Sequence, residues 1–171
     1  IAWTDSTFNP WIGCTRVSEG CRGCYAEAFV TGRMGADLWG PSAPRRVTAA
    51  STWKGPLAWD REAGRTVRRR RVYSASLADV FDSHPIAEAT RPRFWDLVRA
   101  TPNLDWIILT KRPERIAASL PATWGSGWSN VWLGTTVEST AVLSRLDALR
   151  AIPAAVRFVS AEPLLDDLGE I

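Results

Sequence analysis

Two short runs, Trp106-Ile107-Ile108-Leu109-Thr110 and Val131-Trp132-Leu133-Gly134-Thr135-Thr136, carry no charged residue and are mostly apolar. A strand half-exposed to water alternates apolar and polar residues. One without that alternation is buried on both faces, as in a parallel sheet covered by helices. Residues 72–76 and 156–160 read as further strands, and residues 1–8 and 46–50 as shorter ones. Helical stretches fall between them. One covers residues 25–34. Another starts at Asp82-Ser83-His84-Pro85, with a capping residue and an early proline, and Pro92 is expected to divide it into a turn and a helix ending near residue 100. Residues 113–120 form a short helix. Residues 139–150 form a longer one, with Val142, Leu146 and Leu149 along one side. Residues 53–62 are a helical or irregular cover, and residues 35–45 and 123–130 are loops. Alternating strand and helix predicts parallel pairing. Six strands in this order predict an α/β fold, a partial (β/α)6 barrel of mostly parallel strands in one domain spanning residues 1–171.

Four strands end in a small hydroxyl residue with a charge close behind: Ser76 then Asp79, Thr110 then Lys111, Thr136 then Glu138, Ser160 then Glu162. Parallel α/β folds bind ligands at the carboxyl ends of their strands. These ends are expected to ring one cavity.

All three cysteines lie in residues 9–27, with six residues between Cys14 and Cys21 and two between Cys21 and Cys24. An odd number cannot pair internally, and there is no apolar run long enough for a membrane span. The start lacks the basic and apolar regions of a signal peptide. A reducing, cytoplasmic setting with thiols serving a metal follows. Gly23 lets the last pair turn tightly, and Gly13 and Gly20 let the backbone wrap closely. Three thiolates fall one short of structural zinc, unless His84, the only histidine, completes a Cys3His site. They also fall one short of an electron-transfer iron–sulfur cluster. On a 4Fe-4S cube, three ligands leave one iron open.

The loop Cys-x6-Cys-x2-Cys-Tyr-Ala-Glu resembles a spacing variant of the radical S-adenosylmethionine superfamily loop. Taken with Ile1-Ala2-Trp3-Thr4-Asp5, Asn9-Pro10, Leu109-Thr110-Lys111-Arg112-Pro113 and Ser160-Ala161-Glu162-Pro163-Leu164-Leu165, the pattern closely resembles a phage- and prophage-encoded three-cysteine branch. That branch is related more distantly to spore photoproduct lyase. The resemblance covers nearly the whole chain. It implies a 4Fe-4S cluster on Cys14, Cys21 and Cys24, S-adenosylmethionine as second cofactor, and a flavodoxin- or ferredoxin-like electron donor in a bacterial host cell. The implied activity is reductive cleavage of S-adenosylmethionine to a 5′-deoxyadenosyl radical. The family continues past the Glu-Pro-Leu-Leu motif, so a C-terminal portion is expected to be missing here, or the chain is a short variant.

By the same resemblance Lys111 faces the carboxylate of S-adenosylmethionine, with Arg112 sharing the task, and Tyr25 packs near its adenine. A solvated lysine and a core tyrosine are the plain alternatives. Asp79, Glu138 and Glu162 contact the ribose hydroxyls, the amino group or the substrate, or else cap the helices that follow. Ser76, Thr136 and Ser160 supply further hydroxyls. The net charge is only +3, and much of the basicity is local, in Arg65 and Arg68-Arg69-Arg70-Arg71. Clustered cations bind nucleic-acid phosphate, although a charge run is commonly a solvated loop. Among ten tryptophans, Trp124, Trp128 and Trp132 are spaced to stack on bases, with Trp132, mid-strand, also a core residue. The arginines, together with the likeness to spore photoproduct lyase and the phage setting that the resemblance implies, make a nucleic acid or nucleotide the expected substrate. The opposing reading is a non-catalytic nucleic-acid-binding or interaction module with a structural zinc.

Overall fold

The computed structural model describes residues 3–170. Ile1 and Ala2, part of the expected first strand, and Ile171 lie outside the described residues. The main sheet has five strands: β1 (Ser6–Thr7), β4 (Arg70–Ser74), β5 (Leu104–Thr110), β6 (Val131–Thr136) and β7 (Val156–Ser160). They lie in that order and every pair is parallel. The register sets Val72 beside Trp106 and Trp106 beside Val131. β5 is buried at five of its seven positions, the both-faces burial its composition requires.

The remaining pair is a small antiparallel ribbon of β2 (Trp11–Ile12) and β3 (Arg46–Val47). This corrects the expectation of six strands. Residues 46–50 do not join the main sheet; only two of them are extended, and they pair with a segment between β1 and the cysteine loop. The ribbon anchors the loop: Thr48 N donates to Pro10 O, and Thr48 Oγ1 donates to Asn9 O.

Helices cover the sheet: α1 (Tyr25–Met34), α2 (Ala50–Thr66), α3 (Pro85–Arg99), α4 (Ile116–Ser119) and α5 (Ser144–Arg150). The cover expected at residues 53–62 is the middle of α2, a 17-residue helix. Pro92 does not divide α3. The missing N–H removes one bond, and the helix continues because Phe94, Trp95, Leu97 and Val98 all bury beyond it. The helix expected at 139–150 is a 3-10 turn, Thr140–Val142, followed by α5. Residues 113–120 likewise split into a 3-10 turn, Pro113–Arg115, and α4.

The core is aromatic at its centre. Phe8 packs edge-on against Trp53 and Trp106, and Phe94 edge-on against Trp106. Such edge-to-face pairs are favoured by the ring quadrupoles. Val72, Leu104, Ile108, Val131 and Leu133 fill the space around them with no exposed surface. Among the described residues no helix is long and apolar enough to cross a membrane.

Candidate functional site

A cavity of about 710 Å³ opens at the carboxyl ends of the parallel strands. Ser76, Thr110, Thr136 and Ser160 line it from four strand ends, and Asp79, Lys111 and Glu162 line it from the residues just beyond. Cys14, Cys21 and Cys24 line it from the other side. The fold thus brings the strand ends and the cysteine loop together. Glu138 is the exception: it has no exposed surface and stands behind the cavity wall.

The three cysteines are free and half-buried. Cys14 follows β2 and forms an isolated bridge to Trp39. Cys21 ends a 3-10 turn, and Cys24 caps the start of α1. The glycines act differently from expectation. Gly13 carries the positive φ, at 114°, and an added Cβ would meet Leu38 O at 2.6 Å. Gly20 presses on Glu138. Both allow close approach to protein, and Gly23 is not among the positive-φ glycines.

Arg112 holds the first cysteine and Arg45 the residue after it, an arrangement the sequence reading missed. Arg112 lines the cavity beside Lys111, but its guanidinium is engaged by the protein. It is 5% exposed, donates through Nη1 to Cys14 Sγ at 3.6 Å and through Nη2 to Thr15 O at 2.5 Å, and pairs with Asp79 at 2.9 Å. Arg45 pairs with Asp82 at 2.6 Å and donates to Thr15 Oγ1 at 2.6 Å. Asp79 also accepts from Thr110 Oγ1 at 2.7 Å, Lys111 N at 3.2 Å and Phe81 N at 2.9 Å. Two arginines and two aspartates therefore neutralise one another beneath the loop. Burial, and then Asp79, push the Cys14 thiol up to about 12. Burial works against the Arg112 charge, but Asp79, Cys14 and Asp82 outweigh it and hold the guanidinium above its ordinary value.

A second network ties the loop to β6. Glu138 accepts from Ser18 Oγ and from Arg145 at 2.7 Å, and lies 3.8 Å from Lys111 Nζ. Burial alone would raise the Glu138 carboxyl, but Ser18, Lys111 and Arg145 hold it below its ordinary value. Lys111 is lowered by burial, against the pull of Glu138 and Cys21. Its Nζ donates to Glu162 O at 3.3 Å. The Glu162 carboxylate has no ion-pair or hydrogen-bond partner among the described residues. Tyr25, 61% exposed, donates to Ser76 O at 2.8 Å. Tyr73 lines the cavity as well, so both tyrosines of the chain face it. Burial, followed by Tyr25, raises the Tyr73 phenol. Its place mid-strand in β4, next to buried Val72, was the available signal: neighbours in a strand face opposite ways.

The features read as nucleic-acid contacts fall elsewhere. Arg68 and Arg71 lie 3.6 and 3.8 Å from Asp5, Arg69 pairs with Asp105 at 2.7 Å, and Arg70 with Glu62 at 3.0 Å. The run sits at the amino end of β4, away from the cavity. Trp124 and Trp128 pack on each other and on Trp95. Their indole N–H groups donate to Pro153 O and Thr123 O.

Among the described residues no three His, Cys, Asp or Glu side chains converge on a point where one metal ion would sit. His84 caps α3, accepting from Ile86 N at 3.1 Å, and does not line the cavity. An iron–sulfur cube differs from a single ion in taking its cysteine ligands on separate irons. The three thiols are free and face one cavity, and Cys14 accepts a hydrogen bond from Arg112. The cavity volume falls within the range of small-molecule sites.

No curated protein and no solved structure matches the chain. A family model described as "Protein of unknown function (DUF5131)" matches residues 1–171. The match runs the full length, and the chain belongs to the DUF5131 family.

Proposed function

We propose that this protein is a radical S-adenosylmethionine enzyme acting on a nucleic acid or nucleotide. The observation that carries the reading is the meeting of three free, half-buried cysteines with four parallel strand ends around one cavity. On this reading Cys14, Cys21 and Cys24 hold three corners of a 4Fe-4S cluster, and the five parallel strands are part of a (β/α)6 barrel. Such a cluster supplies one electron to the sulfonium of S-adenosylmethionine, which parts into methionine and a 5′-deoxyadenosyl radical able to take hydrogen from a substrate. The electron comes from a flavodoxin- or ferredoxin-like donor in the cytoplasm of a bacterial host carrying the phage or prophage gene.

The chain's own residues bind and orient. Lys111 offers its ammonium to the carboxylate of S-adenosylmethionine, and Glu162, whose carboxylate is unengaged, accepts from the amino group. Tyr25 and Tyr73 supply an aromatic wall, and Ser76, Thr136 and Ser160 supply hydroxyls. Asp79 and Glu138 hold Arg112 and Lys111 in place. Anaerobic reconstitution with iron and sulfide tests the reading. Reduction with S-adenosylmethionine present should yield 5′-deoxyadenosine, and Cys21→Ala should abolish it. Colourless protein carrying one zinc per chain would refute it.

A further inference from the structure

We infer that the outward face of α2 is a track for the phosphate backbone of a nucleic-acid strand. Trp53, Pro56 and Ala63 are the buried residues of this helix. At about 100° per residue, Ala50, Lys54, Ala58, Arg61 and Arg65 fall within ~80° of arc on the opposite side. The stripe is therefore small or cationic throughout. Lys54, Arg61 and Arg65 are exposed and have no ion-pair or hydrogen-bond partner among the described residues. The acids of α2 are engaged elsewhere: Asp60 accepts from Asn103 N at 2.8 Å, and Glu62 pairs with Arg70 at 3.0 Å. Residues 68–71 differ, because each of those arginines faces an acid.

From Lys54 to Arg65 the helix rises ~16 Å, the reach of about five nucleotides at ~3.4 Å each. α2 starts just after β3, whose partner β2 leads to Cys14. It ends just before the amino end of β4. The Lys54 end is thus the cavity end, and a strand lying along the helix is fed toward the cysteines. That direction, and the choice of nucleic acid, rest on the function proposed above; the bare cationic stripe does not. A membrane-seeking helix would need a face of bulky apolar residues beside the cations, and Leu57 is the one exposed large apolar side chain of α2.

Fluorescence anisotropy with a labelled single-stranded oligonucleotide, at salt from about 50 to 200 mM, tests the inference on the reconstituted full chain. Lys54→Ala/Arg61→Ala/Arg65→Ala should bind more weakly. The slope of log K against log salt should shrink by about 2–3, at ~0.7–0.9 per phosphate contact. Arg99→Ala/Arg150→Ala, which removes two cations on other helices, should leave the slope unchanged. Equal slopes for wild type and the triple variant would overturn the track, as would no oligonucleotide binding, or tighter binding to phosphatidylserine vesicles than to the oligonucleotide. Formation of 5′-deoxyadenosine without oligonucleotide is read separately and should be the same in the triple variant. If that product is missing from wild type while the slopes still differ, the radical reading fails and the track stands.

Discussion

Arg112 Nη1 lies 3.6 Å from Cys14 Sγ, so a side chain that follows β5 donates to a sulfur almost a hundred positions earlier in the chain. The same guanidinium neutralises Asp79, with both side chains less than a tenth exposed. Removing one partner of a buried pair leaves an uncompensated charge and costs about 3–5 kcal/mol. Arg112→Gln is therefore expected to lower the urea midpoint clearly and to reduce iron bound per chain. Arg112→Lys should recover part of the stability, because it keeps the charge and loses the two-armed geometry. An unchanged midpoint in Arg112→Gln would contradict this account.

Cys14 should be unreactive in metal-free folded protein. Thiolate is the nucleophile, and burial with Asp79 pushes this thiol to about 12. Iodoacetamide at pH 8 should leave Cys14 unlabelled until urea opens the fold, as read by peptide mass spectrometry. The sign for stability follows. The folded value lies above the ordinary 9.0, so the native state holds the proton longer. This contribution is complete below pH 9 and lost as pH rises toward 12.

Glu138 gives the opposite dependence. Its folded value lies below the ordinary 4.5, so near that pH the unfolded chain binds more protons and stability rises with pH. Its contribution is present above the ordinary value and lost as pH falls through the folded one. Unfolding free energy measured from pH 6 to pH 3 should fall less steeply in Glu138→Gln than in wild type. Parallel curves would show that Ser18, Lys111 and Arg145 do not favour the charged form.

Gly20→Ala should unseat the cysteine loop. The new Cβ would stand 2.7 Å from Glu138 Cγ, and Glu138 cannot withdraw because Arg145 holds it at 2.7 Å. Overpacking of this kind costs about 1–3 kcal/mol. Gly23→Ala, with nothing within 4 Å of its added Cβ, is the matched control. Thermal melts should separate the two variants, with Gly20→Ala the lower.

The parallel sheet was legible because Trp106–Thr110 and Val131–Thr136 carry no alternation, and composition alone then fixes burial on both faces. The cavity was legible because a parallel sheet gathers its strand ends. The β2–β3 ribbon was not, since two-residue strands leave no periodicity to detect. Nor was the role of Arg45, because its partner Asp82 lies far along the chain and the pairing arises only from tertiary packing. The acids that face the arginines at 68–71 were hidden for the same reason: Asp5, Asp105 and Glu62 come to them through the fold.

Of the ten residues of α1, only Ala26 and Val30 are buried. A helix that short draws little stability from propensity and depends on its packed side. Its footing is the Cys24 turn it grows from and the Arg16–Glu27 fork at 2.8 and 2.9 Å. Peeling this arm away is thus among the less costly excursions of the fold, and its amides should exchange faster than those of α2 or α3. Whatever settles on the sulfurs also latches the hinge beside them.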